Sequence, residues 1–539
     1  MNQPATIRQT GGRWFAAGLL LFLAGLAVGA GGCDEPADDA FVVLLDAKPK
    51  GLDPRFATSD SSAKLVGLLH AGLVSVDTKS GEPALELAAS IDQPSPTTYD
   101  IRLRDDVYFH DGEPVTTEDV RYTLMELGSE LVQSPYAGTG RLIERFETID
   151  EKHFVIELTE PHAPFETKLA MGIVPEHICA GHAECPGDPV GAGPFAYVGQ
   201  EGNHRYVFES FDQYFEGEPP IDRLVFKVVA DDNTRLLALL GKSADLLQNA
   251  VAPLMLPVVR DAKGLDIETD ESFKYTYLGF NLRHEILSDL KVRRAIAHGI
   301  DREAIIKHKF RGHATLSTGL LSPRHWAYEP DVRRYDYDLE KARQLLDEAG
   351  YRRPEANPEA PRFTIEFKVS ASKFRKSIAE LIAHQLGRIG IQVEVRSYEW
   401  GTFFHDVKSG NFAITSLQWP SVIDPSLYRW IFHSENIPSA ENRSAGANRG
   451  AYRNAEIDRL LDKGQRVIDR SKRKQVYGEV QKILARDLPY VSLWHEDNIA
   501  IKRRGVTDYY ITPNARFEAL KQTVPPEKKT GQSNAEEGR

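Results

Sequence analysis

The sequence lacks any segment in which basic residues are concentrated. Its 66 lysines and arginines and its 78 aspartates and glutamates are mixed along all 539 residues, and the formal net charge is −12. Nucleic acids are bound by basic patches or stripes that neutralise the phosphate backbone. We therefore exclude nucleic acid as a partner. The length and the 41% hydrophobic content are typical of a globular protein with several domains.

The chain also lacks the motifs of the common hydrolases. It contains neither the His-Glu-x-x-His pattern of zinc peptidases nor the Gly-x-Ser-x-Gly turn of serine hydrolases. Its three cysteines offer no plausible nucleophile. We therefore expect a protein that binds without catalysing a reaction, and we expect no cofactor and no metal site.

One long apolar run extends over residues 14–28, which is shorter than the roughly 20 residues that a membrane-spanning helix needs. Arg8 and Arg13 precede it, and the small residues 29–32 follow it. Basic residues, a short apolar core and small residues in this order are typical of a secretory signal peptide. The sequence therefore predicts export, with residues 1–33 as the signal segment.

Gly31-Gly32-Cys33 ends this segment and resembles the lipobox of bacterial lipoproteins, in which the cysteine becomes the lipidated first residue of the mature protein. We expect lipidation of Cys33; ordinary cleavage nearby, with Cys33 left free, is the alternative. The acidic residues 34–40 cannot form a core and are predicted to be a tether. The expected location is the cell envelope, outside the cytoplasm, with the lipid anchor as the only membrane contact.

The other two cysteines, Cys179 and Cys185, lie close together in one short segment. In an oxidising compartment such a pair favours a local disulfide. His177 and His182 flank Cys179, so a metal site of cysteine and histidine is the alternative. The spacing fits no standard zinc pattern, and we therefore favour the disulfide.

Strand and helix patterns alternate along the whole chain, which indicates an α/β fold. Residues 99–104 alternate between apolar and polar side chains, as a half-buried strand does, and Thr116 or Thr117 can cap a helix that follows. Residues 378–389 carry apolar side chains at helical spacing and lead directly into an alternating segment at 391–396. A helix that runs into a strand is a unit of an α/β sheet.

Several segments together resemble the family 5 extracellular solute-binding proteins, the dipeptide, oligopeptide and nickel type. They occur in the order in which that family has them. The matching segments are 51–54 (Gly-Leu-Asp-Pro), 69–74, 83–88, 99–120, 191–195 (Gly-Ala-Gly-Pro-Phe), 280–281, 292–302, 342–351 and 487–490 (Asp-Leu-Pro-Tyr).

This resemblance implies a two-lobed periplasmic-binding-protein fold of the type II, cluster C kind, with an extra domain inserted in the first lobe. Hinge strands are expected near 275–281 and 489–495. The implied limits are 40–84, 190–276 and 495–523 for lobe I, 85–189 for the inserted domain, 277–494 for lobe II and 524–539 for a disordered tail.

The resemblance also implies a function. It predicts the substrate-binding component of an ABC importer, a monomer whose partners are the permease and ATPase complex and whose ligand is a small solute, with peptide as the first expectation. Two alternatives stay open. The chain could act as a ligand sensor, or its solute could be a sugar, an opine or a nickel complex.

The candidate ligand contacts begin at Trp419. In peptide-binding relatives the matching segment has a tryptophan followed three residues later by an aspartate that pairs with the amino terminus of the peptide. Here Val422 stands at that place and the segment is one residue short. Because a buried ammonium needs a carboxylate, Asp424 is the candidate substitute; a turn formed by Asp424 and Pro425 is the alternative.

Aromatic side chains near this segment are further candidates. Trp419, Tyr428 and Trp430 are predicted to stack on a flat or apolar ligand, and packing in the core is the alternative for all three. Lys50, just before the 51–54 motif, is the candidate contact from the other lobe. The alternative for Lys50 is an ordinary solvated lysine.

Overall fold

A computed structural model of the chain describes residues 39–77, 82–357, 359–439 and 446–527. The predicted signal segment, Cys33 and nearly all of the predicted tether lie outside the described residues. The described residues from Phe41 onward form one compact unit. Among the described residues, no helix combines the length and the apolar character needed to cross a membrane.

The strands of the described residues are β1 (Phe41–Leu45), β2 (Val74–Val76), β3 (Pro83–Leu85), β4 (Ala88–Ser95), β5 (Thr98–Leu103), β6 (Ile143–Asp150), β7 (His153–Leu158), β8 (Phe195–Glu201), β9 (Arg205–Ser210), β10 (Arg223–Val228), β11 (Leu246–Gln248), β12 (Leu265–Asp270), β13 (Tyr275–Phe280), β14 (Ala314–Leu316), β15 (Phe363–Ser370), β16 (Ile391–Tyr398), β17 (Ile414–Trp419), β18 (Tyr490–Glu496) and β19 (Asn498–Arg503).

The α-helices of the described residues are α1 (Asp60–Leu69), α2 (Thr117–Glu126), α3 (Ala137–Gly140), α4 (Phe165–Lys168), α5 (Glu176–Cys179), α6 (Asp232–Leu240), α7 (Leu256–Asp261), α8 (Glu285–Ser288), α9 (Leu290–Gly299), α10 (Arg302–Lys309), α11 (Leu339–Glu348), α12 (Lys373–Gly387), α13 (Trp400–Lys408), α14 (Leu427–Phe432), α15 (Ala455–Arg466) and α16 (Arg470–Asp487). Short 3₁₀ turns lie at Pro253–Met255, Ser434–Asn436 and Glu518–Gln522.

A seven-stranded sheet, ordered β12-β19-β11-β1-β10-β9-β8, is the centre of the first lobe, which we call lobe I. β1 runs parallel to β10 and β11, and the remaining pairs are antiparallel. β1 reads Phe-Val-Val-Leu-Leu, a continuous apolar run that suits a strand covered on both faces. Val43 packs into one hydrophobic cluster and Leu44 into another, so lobe I has a core on each side of the sheet.

A six-stranded sheet, ordered β14-β18-β13-β17-β15-β16, is the centre of lobe II. β15 runs parallel to β16 and β17, so the carboxyl ends of these three strands lie at one edge. All six residues of β13 are buried. Leu278 and Phe280 pack into one cluster and Tyr275 and Tyr277 into another, which places β13 between two cores.

A four-stranded antiparallel sheet, ordered β4-β5-β7-β6, interrupts lobe I between β1 and β8, and we call its surroundings the inserted domain. In β5 every second side chain is buried, as the alternation at 99–104 predicts. Ile101, Phe154 and Ile156 lie at the centre of this domain's own core. β2 and β3 form an antiparallel pair in the segment that leads from lobe I into the inserted domain.

Local capping residues set the helix starts. Thr116 and Asp119 form a reciprocal capping box at α2, so the predicted cap there is confirmed. The helix predicted at 378–389 begins five residues earlier, at Lys373. The difference arises because the Ser372 side chain accepts a hydrogen bond from the backbone N–H of Arg375 and fixes the start of α12 there.

Within the described residues the chain crosses between the two lobes at 271–274 and at Asp497. The crossings touch each other: His495 Nδ1 lies 2.8 Å from the carbonyl oxygen of Lys274, and the Ser272 hydroxyl donates to the carbonyl of Glu496. The predicted hinge strands are β13 and β18, which both belong to the lobe II sheet. The links between the lobes are therefore the short segments just outside these strands.

Part of the predicted tail falls on described residues. The backbone of Val524 pairs with that of Thr507 through hydrogen bonds of 3.1 and 3.2 Å. The chain is therefore tied to lobe I at the point where the sequence predicts the tail to begin, and residues 528–539 lie outside the described residues.

Candidate functional site

A cavity of about 630 Å³ lies where lobe I, the inserted domain and lobe II meet. Helix α1 supplies one wall, with Gly67 facing the space, and residues 510–521 extend that wall. The inserted domain contributes Tyr136 and residues 167–172, and lobe II contributes Ile423. Sites for small molecules are usually concave spaces of roughly 300–1,000 Å³ between domains, so this cavity is the candidate ligand site.

Contacts between lobe II and the rest of the molecule lie beside this cavity. Arg466 pairs with Glu160 of the inserted domain at 2.9 Å, and the backbone N–H of Ala163 donates to the carbonyl of Gln465 at 2.7 Å. Arg470 forms an ion pair with Glu82. The segment that joins α15 to α16 therefore rests against the inserted domain, and the structure has its lobes in contact around the cavity.

Two cations that line the cavity have no charged partner among the described residues. No carboxylate oxygen lies within ion-pair distance of the Lys168 ammonium, although the more distant Asp424 attracts it, and burial lowers the pKa of Lys168. Within the part of the chain that the structure describes, the guanidinium of Arg516 makes no ion pair, although Asp60 and Glu518 attract it, and its buried Nη1 atom has no hydrogen-bond acceptor. Both side chains are able to bind an anionic group of a ligand.

Two carboxylates that line the cavity, Glu86 and Glu518, have surroundings that disfavour their charged form. Burial raises the pKa of Glu86 to about 7, despite the hydrogen bond of 2.9 Å that its Oε2 accepts from the backbone N–H of Gly72. Burial also raises the pKa of Glu518. Near neutral pH, Glu86 is therefore able to donate a hydrogen bond as well as to accept one.

Asp424 has a partner of its own. Arg473 donates to both of its carboxylate oxygens, at 2.7 and 2.9 Å, and the backbone N–H of Ser426 donates to Oδ1 at 2.7 Å. Burial would raise the pKa of Asp424, but the Arg473 guanidinium outweighs burial and holds that pKa below its usual value. This geometry favours the turn that the Asp-Pro sequence predicts over a free carboxylate that waits for a ligand.

Val422 does not face the cavity. Its side chain is buried in a lobe II core, and its backbone N–H donates to the carbonyl of Phe273 at 3.1 Å. Ile423 lines the cavity instead. At this point lobe II therefore presents an apolar side chain to the cavity.

The predicted aromatic contacts separate into two environments. Tyr428 is 2% exposed and packs in the lobe II core beside Tyr477, with ring centroids 6.2 Å apart. Trp430 is 43% exposed and meets the half-buried Trp419 edge to face, with centroids 5.4 Å apart. The guanidinium of Arg449 lies 5.7 Å from the Trp419 ring centroid. The two tryptophans lie together, and Tyr428 lies apart from them.

Lys50 lies outside the large cavity. Its backbone N–H donates to the Ser62 hydroxyl at 2.8 Å, and its side chain is exposed at the rim of a separate space of about 370 Å³. Asp53 and Cys185 also line that space. The structure therefore does not bring Lys50 together with the candidate contacts of lobe II.

The Cys179 and Cys185 sulfur atoms are bonded to each other, with an S–S distance of 1.98 Å. The backbone N–H of Cys185 donates to Asp53, and Asp53 also pairs with the fully buried Arg55 at 2.7 Å. The disulfide loop is thereby fixed to the 51–54 turn. No group of three or more potential metal ligands occurs among the described residues.

A polar cluster marks the place where the lobes are joined. Glu496 pairs with Arg375 at 2.7 Å and accepts a hydrogen bond of 3.0 Å from the Thr276 hydroxyl. Burial would raise the pKa of Glu496, but Arg375 outweighs it and lowers the pKa to about 2. Burial lowers the pKa of Lys274, at the first crossing, to about 8. This cluster therefore joins the first crossing to β13, β18 and α12 of lobe II.

Sequence reasoning missed the residues that line the cavity most directly. Lys168 ends a four-residue helix, which is too short to give a periodic pattern, and Arg516 follows a loop near the end of the chain. Tyr136 lies between two helices, and its hydroxyl donates to the carbonyl of Ala57 in lobe I at 2.8 Å. These three side chains converge only through the arrangement of the lobes, so no local signal could have identified them.

The fold and its cavity match a known class of protein. The family model described as bacterial extracellular solute-binding proteins, family 5 Middle, matches residues 82–439. The chain belongs to this family. It therefore has the family's two-lobed α/β fold with an inserted domain and is an extracellular solute-binding protein.

Individual relatives are similar over most of their length. The chain is 27% identical to the oligopeptide-binding protein AppA of Bacillus subtilis over 492 residues, which covers 88% of this chain and 89% of that protein. It is 28% identical to the di/tripeptide-binding protein 2 of Pseudomonas aeruginosa over 531 residues, covering 90% and 95%. The solved structure of NikZ from Campylobacter jejuni in complex with Ni(L-His) matches with a TM-score of 0.79 at 23% identity, covering 90% of this chain and 99% of that one.

Proposed function

We propose that this protein is the extracytoplasmic binding component of an ABC importer and that it captures a small peptide in the cavity between its lobes. The observation that carries the proposal is the cavity of about 630 Å³, which lobe I, the inserted domain and lobe II enclose together. Relatives named for oligopeptides and for di- and tripeptides support peptide as the solute. The partners would be the permease and ATPase complex, and no chemical reaction is part of the function.

The lobes are proposed to close on the ligand by rotating about the two crossings. The crossings lie side by side at 271–274 and Asp497, so a small change in their backbone angles can move lobe II as a unit. Closure is driven only by contacts that the ligand makes better in the closed state than in the open one. Contacts such as Arg466 with Glu160 would add to the closed state.

We propose domain limits at the positions that the sequence suggests. Lobe I would comprise 40–84, 190–276 and 495–523, the inserted domain 85–189, and lobe II 277–494. Strand pairing supports the division into three parts, because β1, β8 to β12 and β19 join one sheet although they come from separate parts of the chain. The strands β13 and β18 pair entirely within the lobe II sheet, which favours limits between the lobes at the crossings 271–274 and 497. We also propose that a lipid attached to Cys33 holds the protein, as a monomer, at the membrane.

A substitution that fills the cavity tests the proposed function. Gly67 of α1 lines the cavity, and a Cβ atom added there meets no atom within 4 Å, so the first atom of a new side chain is accommodated and Gly67→Phe should extend into the ligand's space. Gly387→Phe is the matched control, because Gly387 is also an exposed helical glycine with open space, in lobe II.

Binding would be measured in two ways. Native mass spectrometry of protein purified without denaturation would detect a ligand that copurifies, and calorimetry would give the affinities for pooled di-, tri- and tetrapeptides. We expect wild type and Gly387→Phe to bind peptide and Gly67→Phe to lose binding. Unchanged binding by Gly67→Phe would show that the solute lies elsewhere, and a copurified sugar or opine would replace peptide as the solute.

A further inference from the structure

We propose that the solute of this cavity is held by an anionic group, a carboxylate in the case of a peptide, which pairs with Lys168 of the inserted domain while Arg516 adds a second positive charge. This inference rests on the proposed role of the cavity as the binding site. It concerns which end of the ligand is recognised by charge, which the family membership does not determine.

The lobe II wall offers no anion to a ligand ammonium. Val422 is turned into the lobe II core, and Ile423 supplies the apolar surface that faces the cavity. Asp424 is the nearest acid in this segment, and both of its oxygens are bound by Arg473. An ammonium placed here would be desolvated without a partner, which is strongly unfavourable.

The inserted domain presents a cation with the reverse requirement. Lys168 is partly buried, and neither an ion pair nor a side-chain hydrogen bond of its ammonium occurs among the described residues. Asp424 attracts it electrostatically but is already paired. Binding of a ligand would remove the remaining water from the ammonium, so the complex is favourable only if the ligand supplies an acceptor, preferably a charged one.

Arg516, on the lobe I side of the cavity, also needs a charged acceptor from the ligand. Two acids attract it: Asp60 is paired with Lys64 at 2.7 Å, and Glu518 lines the cavity with a pKa that burial raises. The Arg516 Nη1 atom is buried without an acceptor. Burial also raises the pKa of Glu86 to about 7, so this lining carboxylate is largely uncharged in mildly acidic solution. The positions of Lys168 and Arg516 therefore favour an anionic ligand group.

The chemical class includes more than peptides. A peptide carboxylate, the carboxylate of a metal-bound amino acid and a simple organic acid all offer the same charged oxygen pair. The test therefore offers the protein four equimolar pools in one native mass spectrometry experiment: free tripeptides, their N-acetylated forms, their C-terminal amides, and monocarboxylic acids together with the matching neutral amides.

We expect the free and N-acetylated tripeptides to bind within about threefold of each other and the C-terminal amides to bind at least about 30-fold more weakly, as for loss of one charged contact. Lys168→Met should weaken binding of free peptides by a similar factor and remove the preference over amides. Lys168→Gln, which keeps a polar group, serves if Lys168→Met does not fold. Lys263→Met, at an exposed loop lysine, is the control and should behave as wild type.

Each result decides between the proposals. If free tripeptides and their C-terminal amides bind equally well, the anionic contact is refuted and the peptide function stays intact. The same holds if Lys168→Met keeps the preference for free tripeptides over amides. Enrichment of organic acids without any peptide would refute peptide as the solute and support the contact at Lys168. If no pool is enriched, both the peptide function and the anionic contact are refuted.

Discussion

The pairing of Arg473 with Asp424 gives a prediction whose size can be worked out from the structure. The two side chains are 7% and 14% exposed, and two hydrogen bonds join them. The Nε atom of Arg473 also donates to the carbonyl of Gly464 at 3.0 Å. Arg473→Met keeps most of the aliphatic volume and removes every one of these polar contacts.

We expect Arg473→Met to lower the free energy of unfolding strongly, because the Asp424 carboxylate stays buried without its partner. Removing one partner of a buried ion pair leaves an uncompensated charge and costs about 3 to 5 kcal/mol. Asp424 keeps one hydrogen bond from the backbone N–H of Ser426, which places the loss near the lower end. The double variant Arg473→Met/Asp424→Asn has no charged side chain at either of these two positions. Its free energy of unfolding should therefore fall by less than the sum of the two single-variant losses, by about 2 kcal/mol or more.

Urea unfolding of the four proteins, followed by tryptophan fluorescence, measures these free energies of unfolding. Arg459→Met, at an exposed arginine of α15, is the control and should change the stability by less than about 0.5 kcal/mol. A loss below about 1 kcal/mol for Arg473→Met would refute the reasoning. Peptide affinity gives a second check: Asp424→Asn should leave it unchanged, whereas an aspartate that held a ligand amine would make the same variant lose binding.

The remaining predictions concern the anchor, the disulfide and one buried acid. Cys33→Ala should release the protein from membranes in cell fractionation, and a wild-type protein that is already soluble would exclude the anchor. Mass mapping of unreduced peptides should find Cys179 linked to Cys185; two free thiols would contradict this. Because burial raises the pKa of Glu86 from 4.5 to about 7, the folded state holds a proton that the unfolded state releases, so this group makes stability fall as pH rises from about 4.5 to about 7. Glu86→Gln should remove up to about 3 kcal/mol of that fall between pH 5 and pH 8 in urea unfolding, and the exposed Glu209→Gln should not.

The sequence predicts those parts of the fold that depend on local chemistry. Thr116 and Asp119 satisfy the backbone at the start of α2 by themselves, and the alternation in β5 decides which of its side chains are buried. Sequence analysis placed the start of α12 five residues late, since apolar periodicity marks the buried face of a helix and not its first exposed turn. The cap at Ser372 was the available signal.

The site could be predicted far less well, because its contacts join distant parts of the chain. The sequence singles out Asp424 as a candidate ligand contact, but the side chain that pairs with it, Arg473, lies 49 residues later on α16. Tyr428 was a candidate for stacking, yet it lies on the inward face of α14 and packs in the core. Trp430, two residues later, lies on the outward face. A pattern of residue types does not distinguish these two positions unless the face of the helix is known.

In the binding mode proposed above, the position of Lys168 would allow such a cavity to change its ligand while the fold stays the same. Phe165, the first residue of the short helix α4, and Leu169, just after its last residue, are buried in the core of the inserted domain and hold the helix in place. Lys168 ends that helix, and its ammonium makes no hydrogen bond or ion pair with the described residues, so its replacement removes no polar contact within them. Val422 on lobe II is the opposite case, since its side chain is part of a core. In the proposed binding mode, the inserted domain would therefore set the charge that meets the ligand, and substitution of Lys168 is expected to affect binding much more than folding.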